Sequence, residues 1–332
     1  MDITKRDSKM LKGVAILSML MLHLFCRREN LPYTPLVWLG DTPLIYYFGL
    51  FGDICVPMYC FVSGYAHYLQ TSKKELRQRW KRLFRFLIRF WVIATIFSLI
   101  GVLIGDTTIP GSAKDFILNC LTVKLSYNGA WWYANIYIVL VVAQPLSRKF
   151  AERCPAWVVM LLSFVYYIVG YGIRFWEWGT CDSAFLSWMI THIGLLGTSY
   201  LPYMVGMLFC KNHVVTVLRQ RLSASKVQNA MMYLFTASVF ACMIVMHGIV
   251  QTLFVAVFTA TATIVLLCIC PLPRQLADLL CYFGEHSMNI WLVHMFFYLV
   301  LFKGFVFYAK YPIPVFFCCW RCLLRHLTLL NG

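Results

Sequence analysis

The sequence predicts an all-α protein, a polytopic transmembrane helical bundle of about ten helices. Three observations lead there. The 332 residues are 61% hydrophobic and only 13% charged, with a mean hydropathy of +0.72, far more apolar than a soluble chain of this length can cover with polar surface. The apolar residues gather in runs of roughly 20, the length that a helix rising about 1.5 Å per residue needs to cross a hydrocarbon core about 30 Å thick. The basic residues gather between those runs.

The runs fall at 10–26, 44–68, 86–105, 130–146, 156–173, 191–210, 229–247, 249–270, 287–302 and 313–330. The first is followed by Arg27 and Arg28 where a cleaved signal peptide needs small residues, so it is expected to stay as a helix. The second carries Asp53, Pro57, which frees backbone groups, and Gly64, which permits close helix approach. Before the third, residues 73–85 carry seven positive charges with Leu76, Trp80, Leu83 and Phe84 at helical spacing, a segment expected to lie along the cytoplasmic membrane surface. It serves either as a lipid anchor that sets topology or as a docking site for a phosphorylated donor, because guanidinium groups match phosphate geometry. Arg89 lies about one turn inside the span that follows, where an unpaired charge marks a pathway or a partner. The longest outer loop, 106–129, contains the turn formers Pro110, Gly111, Asn128 and Gly129. The last run follows Pro312 and Pro314 and is interrupted by Arg321, Arg325 and His326. With no soluble domain, linker or fixed-period repeat, residues 1–332 read as a single transmembrane domain.

With Met1 in the cytoplasm, the inner loops hold nineteen basic residues and the outer loops seven, so the positive-inside rule places both termini inside a multi-pass cell-membrane protein. The formal charge of +16 is then mostly topology. Spread over many membrane-flanking loops, it argues for lipid and against nucleic acid as a partner. Most of the fourteen cysteines stand singly and read as small buried apolar residues. Cys319 and Cys322 form a CxxC pair without a second pair, so no metal site is predicted. Cys120 and Cys181 both fall on the outer side and would form a disulfide if the fold brings them together.

The residues able to carry chemistry are few. Lys12 and His23 are eleven positions apart, three helical turns, and share one stripe of the first helix. His23 then rises about 16 Å above Lys12, close to mid-membrane. An imidazole there is either a structural hydrogen-bonding residue between helices or a general base. Asp53 reaches nearly the same depth, where it either orients that imidazole and stabilises its protonated form or pairs with Arg27 or Arg28 at the outer interface.

Several stretches carry a family resemblance: Lys12-Gly13-Val14-Ala15-Ile16 followed by Leu22-His23; Pro57 through Ser63-Gly64-Tyr65; Arg82, Arg85 and Arg89; Ala130-Trp131-Trp132-Tyr133; and Phe283-Gly284 through Ser287-Met288-Asn289-Ile290-Trp291-Leu292-Val293-His294. In this order, over nearly the whole chain, they resemble the motifs of the acyltransferase-3 family of integral membrane O-acyltransferases, including its branch related to sugar O-acetylases of capsules and exopolysaccharides. Three departures stand out, one of them the terminal helix. Lys9 occupies the place where the family often has an acidic residue, and Asp53 matches no family position, so its link to His23 rests on depth alone.

The resemblance implies an acyl-CoA donor, by default acetyl-CoA, used as a substrate from the cytoplasm, with no permanently bound cofactor. It implies a carbohydrate acceptor on the far side, whether capsule, exopolysaccharide or another surface glycan. By position His23 inherits the role of catalytic base. Lys12, Arg82, Arg85 and Arg89 are then expected to meet the donor, and Ser63 and Tyr65 to contact it or to pack. Trp131 and Trp132 fall on the acceptor side, and His294 either binds the acceptor or bridges helices. A transporter or exporter of a glycan or lipid-linked sugar is the rival reading, since ten spans with buried polar residues suit transport as well. A purely structural subunit is the third, and it predicts that His23 tolerates replacement by Gln.

Overall fold

The structure, a computed structural model, describes residues 3–71, 73–224, 229–250, 253–270 and 272–320. These are helical nearly throughout, with one antiparallel pair of two-residue strands, β1 (Trp38–Leu39) and β2 (Thr42–Pro43). The helices run in chain order as α1 (Lys5–Phe25), α2 (Leu44–Phe51), α3 (Cys55–Leu69), α4 (Lys73–Leu103), α5 (Ala113–Cys120), α6 (Trp132–Arg153), α7 (Ala156–Phe175), α8 (Ala184–Lys211), α9 (Val214–Ala224), α10 (Asn229–Val250), α11 (Ala256–Ile269), α12 (Arg274–Met295) and α13 (Lys303–Phe307).

Among the described residues, six stretches are long and apolar enough to cross a membrane: Lys5–Phe25, Leu44–Leu69, Arg77–Leu103, Ala156–Phe175, Ala184–Lys211 and Met231–Val250. Their outward faces are apolar. Ile88, Val92, Leu99 and Val102 of α4, Leu161 and Val165 of α7, and Leu234, Phe235 and Ile249 of α10 are all exposed, while Asp53, His67, Ser199, His247, Thr263 and His294 are buried. That inversion of the soluble pattern suits a lipid solvent.

Several elements differ from the sequence expectation, each for a local reason. The 44–68 run is two helices separated by a 3-10 turn at Gly52–Ile54, and Pro57 sits in the first turn of α3, where a missing N–H costs little. Residues 73–85 do not form a separate surface helix. With neither Gly nor Pro between Lys73 and Ile100, they continue directly into the span as the 31-residue α4. The 106–129 loop contains α5, started by a reciprocal cap in which Ser112 Oγ accepts from the Asp115 N–H and the Asp115 carboxylate accepts from the Ser112 N–H. The Lys124 ammonium bonded to that carboxylate, with the Ser112 bonds, pulls the Asp115 pKa down to about 2. Helix α12 begins at Arg274, well before the expected 287, because Asp278, Glu285 and His286 lower the hydropathy of its first half. After Met295 the coil widens into a π turn, Phe296–Val300. Of the last expected run, 312–320 is helical, and Arg321, Cys322, Arg325 and His326 lie outside the described residues. Cys120 and Cys181 are free thiols, so the outer disulfide is not formed.

The chain divides into two compact units. The first comprises Met1–Leu22, Tyr47–Thr71 and Val142–Glu285. Its helices are drawn together at glycines: a Cβ on Gly64 would lie 1.9 Å from the Tyr203 carbonyl oxygen and one on Gly206 2.1 Å from that of Phe61, so α3 and α8 touch backbone to backbone. Helices α1 and α12 meet in the same way, Gly13 against Leu280 O (1.9 Å) and Gly284 against Lys9 O (1.8 Å), flanked by the ion pairs Arg6–Asp278 and Lys9–Glu285. The second unit comprises His23–Tyr46, Ser72–Val141 and His286–Gly332. Its core is aromatic, with Phe97 stacked on Phe296 (centroids 4.1 Å, 5° between planes) and Phe90 edge-on to Trp131 (4.5 Å).

Candidate active site

The second unit gathers most of the sequence-predicted site. His23, in the last turn of α1, has its ring centroid 5.0 Å from that of His294 and 5.9 Å from that of Tyr298. His294 and Tyr298 are in turn 5.9 Å apart with nearly parallel rings. His294 is fully buried, and its Nδ1 lies 2.7 Å from the Trp291 carbonyl oxygen. A carbonyl only accepts, so Nδ1 carries the hydrogen and Nε2 carries a lone pair. That Nε2 is buried with no hydrogen-bond partner.

The residues around His294 are held from the 3-10 turn Gly129–Trp131 that leads into α6. Asn128 caps the 3-10 turn Gly129–Trp131 by accepting from the Ala130 N–H (2.9 Å), and its amide donates to Leu292 O (3.0 Å). Trp131 Nε1 donates to the same oxygen (3.1 Å), and Trp291 Nε1 donates back to Ala130 O (3.2 Å). Trp291 also stacks on Phe86. The Ala130-Trp131-Trp132 motif thus fastens the last turn of α12. Trp131 is fully buried with its N–H engaged, and Trp132 is half-buried and packs on Tyr133. Arg82, Arg85 and Arg89 stand at i, i+3 and i+7 on α4, all exposed, beside a buried stripe of Leu83, Phe86 and Phe90.

The other predicted residues lie in the first unit. Lys12 is half-buried, with its carbonyl accepting from the Tyr59 hydroxyl (3.4 Å). Ser63 is half-buried on α3. Tyr65 is buried, and its hydroxyl oxygen accepts from the Ile3 N–H (3.0 Å), which ties down the start of the chain. Asp53 takes neither of its expected partners. Its Oδ1 lies 3.0 Å from His247 Nε2, and its Oδ2 is buried with no partner. His247 Nδ1 lies 3.1 Å from Met243 O and therefore donates to it. The 3-10 turn that breaks α2 from α3 presents Asp53 to α10 at this point.

His247 was not singled out in the sequence. The signal available was that a titratable residue within an apolar span requires a partner, and Asp53, 194 positions away, was the unpaired carboxylate. His67 was also missed; its Nδ1 lies 2.9 Å from the Tyr203 hydroxyl, and its carbonyl accepts from Gln144 Nε2 (2.9 Å). Among the described residues no group of three His, Cys, Asp or Glu side chains comes together that can hold a metal ion.

A family model described as an acyltransferase domain, that of the acyltransferase-3 family, matches residues 7–321. No curated protein and no solved structure matches the chain. A match over nearly all 332 residues, together with helices of membrane-spanning length and composition, makes this a membrane acyltransferase, and the chain belongs to the acyltransferase-3 family.

Proposed function

We propose that the chain is a multi-pass O-acyltransferase of the cell membrane, with both termini cytoplasmic, that moves an acetyl group from cytoplasmic acetyl-CoA to a hydroxyl of an extracytoplasmic or surface carbohydrate. The observation that carries this reading is the placement of half-buried His23 against the buried rings of His294 and Tyr298 in a chain of this family. His23 takes the proton of the acceptor hydroxyl as its oxygen attacks the thioester carbonyl. The tetrahedral adduct collapses, the C–S bond breaks, and the imidazolium returns the proton to the departing thiolate, leaving an ester and free CoA.

Arg82, Arg85 and Arg89 support the donor side, because three exposed guanidinium groups on one helical stripe suit the phosphates of a CoA nucleotide. Trp132, with part of its ring accessible, is assigned to the acceptor sugar, and Trp131 to holding α12 in place.

The test is transfer of labelled acetyl from acetyl-CoA to cell-surface polysaccharide, comparing the native chain with His23→Gln at matched membrane abundance. Loss of the base is expected to lower labelling by about 100-fold or more. Equal labelling by both removes His23 as the base, and no labelling by the native chain overturns the assignment of acetyl and surface polysaccharide.

A further inference from the structure

We propose that His294 is the positioning partner of His23: its unfilled Nε2 accepts the N–H of the His23 ring, which selects the nitrogen that faces the acceptor hydroxyl and holds the imidazolium once the proton has moved. The proposal rests on the reading of His23 as the base.

Three observations support it. The tautomer of His294 is fixed by the bond from Nδ1 to Trp291 O, so the ring meets its surroundings with a lone pair and no second hydrogen. That lone pair is buried without a donor, a state that normally costs free energy and marks a site waiting for one. The ring beside it is His23, at a centroid separation of 5.0 Å and tilted by 43°; the two are not hydrogen-bonded as the rings stand, and a turn of the His23 ring that brings a nitrogen to the facing edge closes a hydrogen bond of about 3 Å.

The usual orienting group for a catalytic imidazole is a carboxylate. Here the one considered, Asp53, has its Oδ1 engaged by His247 and its Oδ2 without a donor, so neither oxygen bonds His23. A neutral imidazole does the same work with a lone pair instead of a charge. The surroundings hold it rigidly, since the carbonyl of Trp291 that fixes the tautomer belongs to a residue bonded to Ala130 and stacked on Phe86.

The proton count closes. The acceptor O–H gives its proton to the free nitrogen of His23. The ring then has two N–H groups, one donating to His294 Nε2 and the other passing its hydrogen to the thiolate sulfur as the new C–O bond is completed. His294 remains neutral throughout.

Two substitutions separate this role from packing. In His294→Asn the amide N–H can still reach Trp291 O, but nothing accepts at the Nε2 position. In His294→Gln the side-chain oxygen reaches that position and accepts. Membranes carrying each variant at matched abundance would be assayed with labelled acetyl-CoA and surface polysaccharide, alongside His23→Gln. The expected result is a saturating rate lowered on the order of 100-fold in His294→Asn, an unchanged KM for acetyl-CoA, and recovery of most of the rate in His294→Gln. Full activity of both His294 variants with a dead His23→Gln overturns the partnership and leaves His23 as the base. Equal loss in Asn and Gln assigns His294 to packing, and a raised acceptor KM at unchanged rate assigns it to acceptor binding. Full activity of His23→Gln overturns the base reading itself.

Discussion

A carboxylate and an imidazole buried inside the same unit must replace the hydrogen bonds that water supplied, and Asp53 and His247 do so with each other. Replacing His247 with Leu strands the carboxylate. The expected cost is about 3–5 kcal/mol, read as a lowered thermal midpoint in detergent, and Asp53→Leu/His247→Leu is expected to recover much of it because no unpaired polar group remains. A double variant as unstable as the single one would show that the pair's shape rather than its charge matters. Only half of this pair was legible in the sequence. Asp53 stands out in an apolar run, but a partner 194 residues away leaves no periodic trace; depth points to His23, and the charges at the outer interface to Arg27 and Arg28. His23 and His294 were both legible through their motifs, yet their adjacency was not, for the same reason.

Helices in this chain approach where side chains are smallest. At the α1–α12 crossing two glycines meet the opposing backbone, and Gly284→Ala would drive a methyl group to within 1.8 Å of Lys9 O. The helices must then move apart, at an expected cost of about 1–3 kcal/mol in thermal stability. Gly304→Ala in α13 is the control: nothing lies within 4 Å, so its effect is expected to be neutral or slightly stabilising through helix propensity. Equal effects at the two positions would remove close packing as the role of Gly284. The flanking ion pairs are half exposed and add little by comparison. The glycines were legible as motif letters, whereas the polar first half of α12 was hidden because averaged hydropathy discards a helix carrying Asp278 and Glu285. The opposite error occurred in α4, where charge divided in two what backbone propensity makes continuous.

For the whole molecule, the all-α class followed from composition and run length, and the structure agrees where a helix is long and apolar enough to cross a membrane. It departs where a helix is short, broken or amphipathic, as in α5, α11 and α12, because a hydropathy window reports length and average rather than packing. The inside-outside arrangement is open to direct test through the free thiols. In single-cysteine variants, a membrane-impermeant maleimide is expected to label the exposed Cys181 on intact cells and Cys154 only after permeabilisation; the reverse would invert the topology. The same membrane carries a voltage, and the Asp53–His247 pair meets it in a particular way. Since Nδ1 keeps its hydrogen on Met243 O, the pair holds one further proton, and its charges sum to zero whether that proton sits on Nε2 or on the carboxylate. A potential acts at about 2.3 kcal/mol per elementary charge per 100 mV over the full thickness. Here it can act only on charges separated across the 3.0 Å from Nε2 to Oδ1, at most about a tenth of a core roughly 30 Å thick. The buried acid is thereby insulated from swings in membrane potential that would load an isolated charge at the same place.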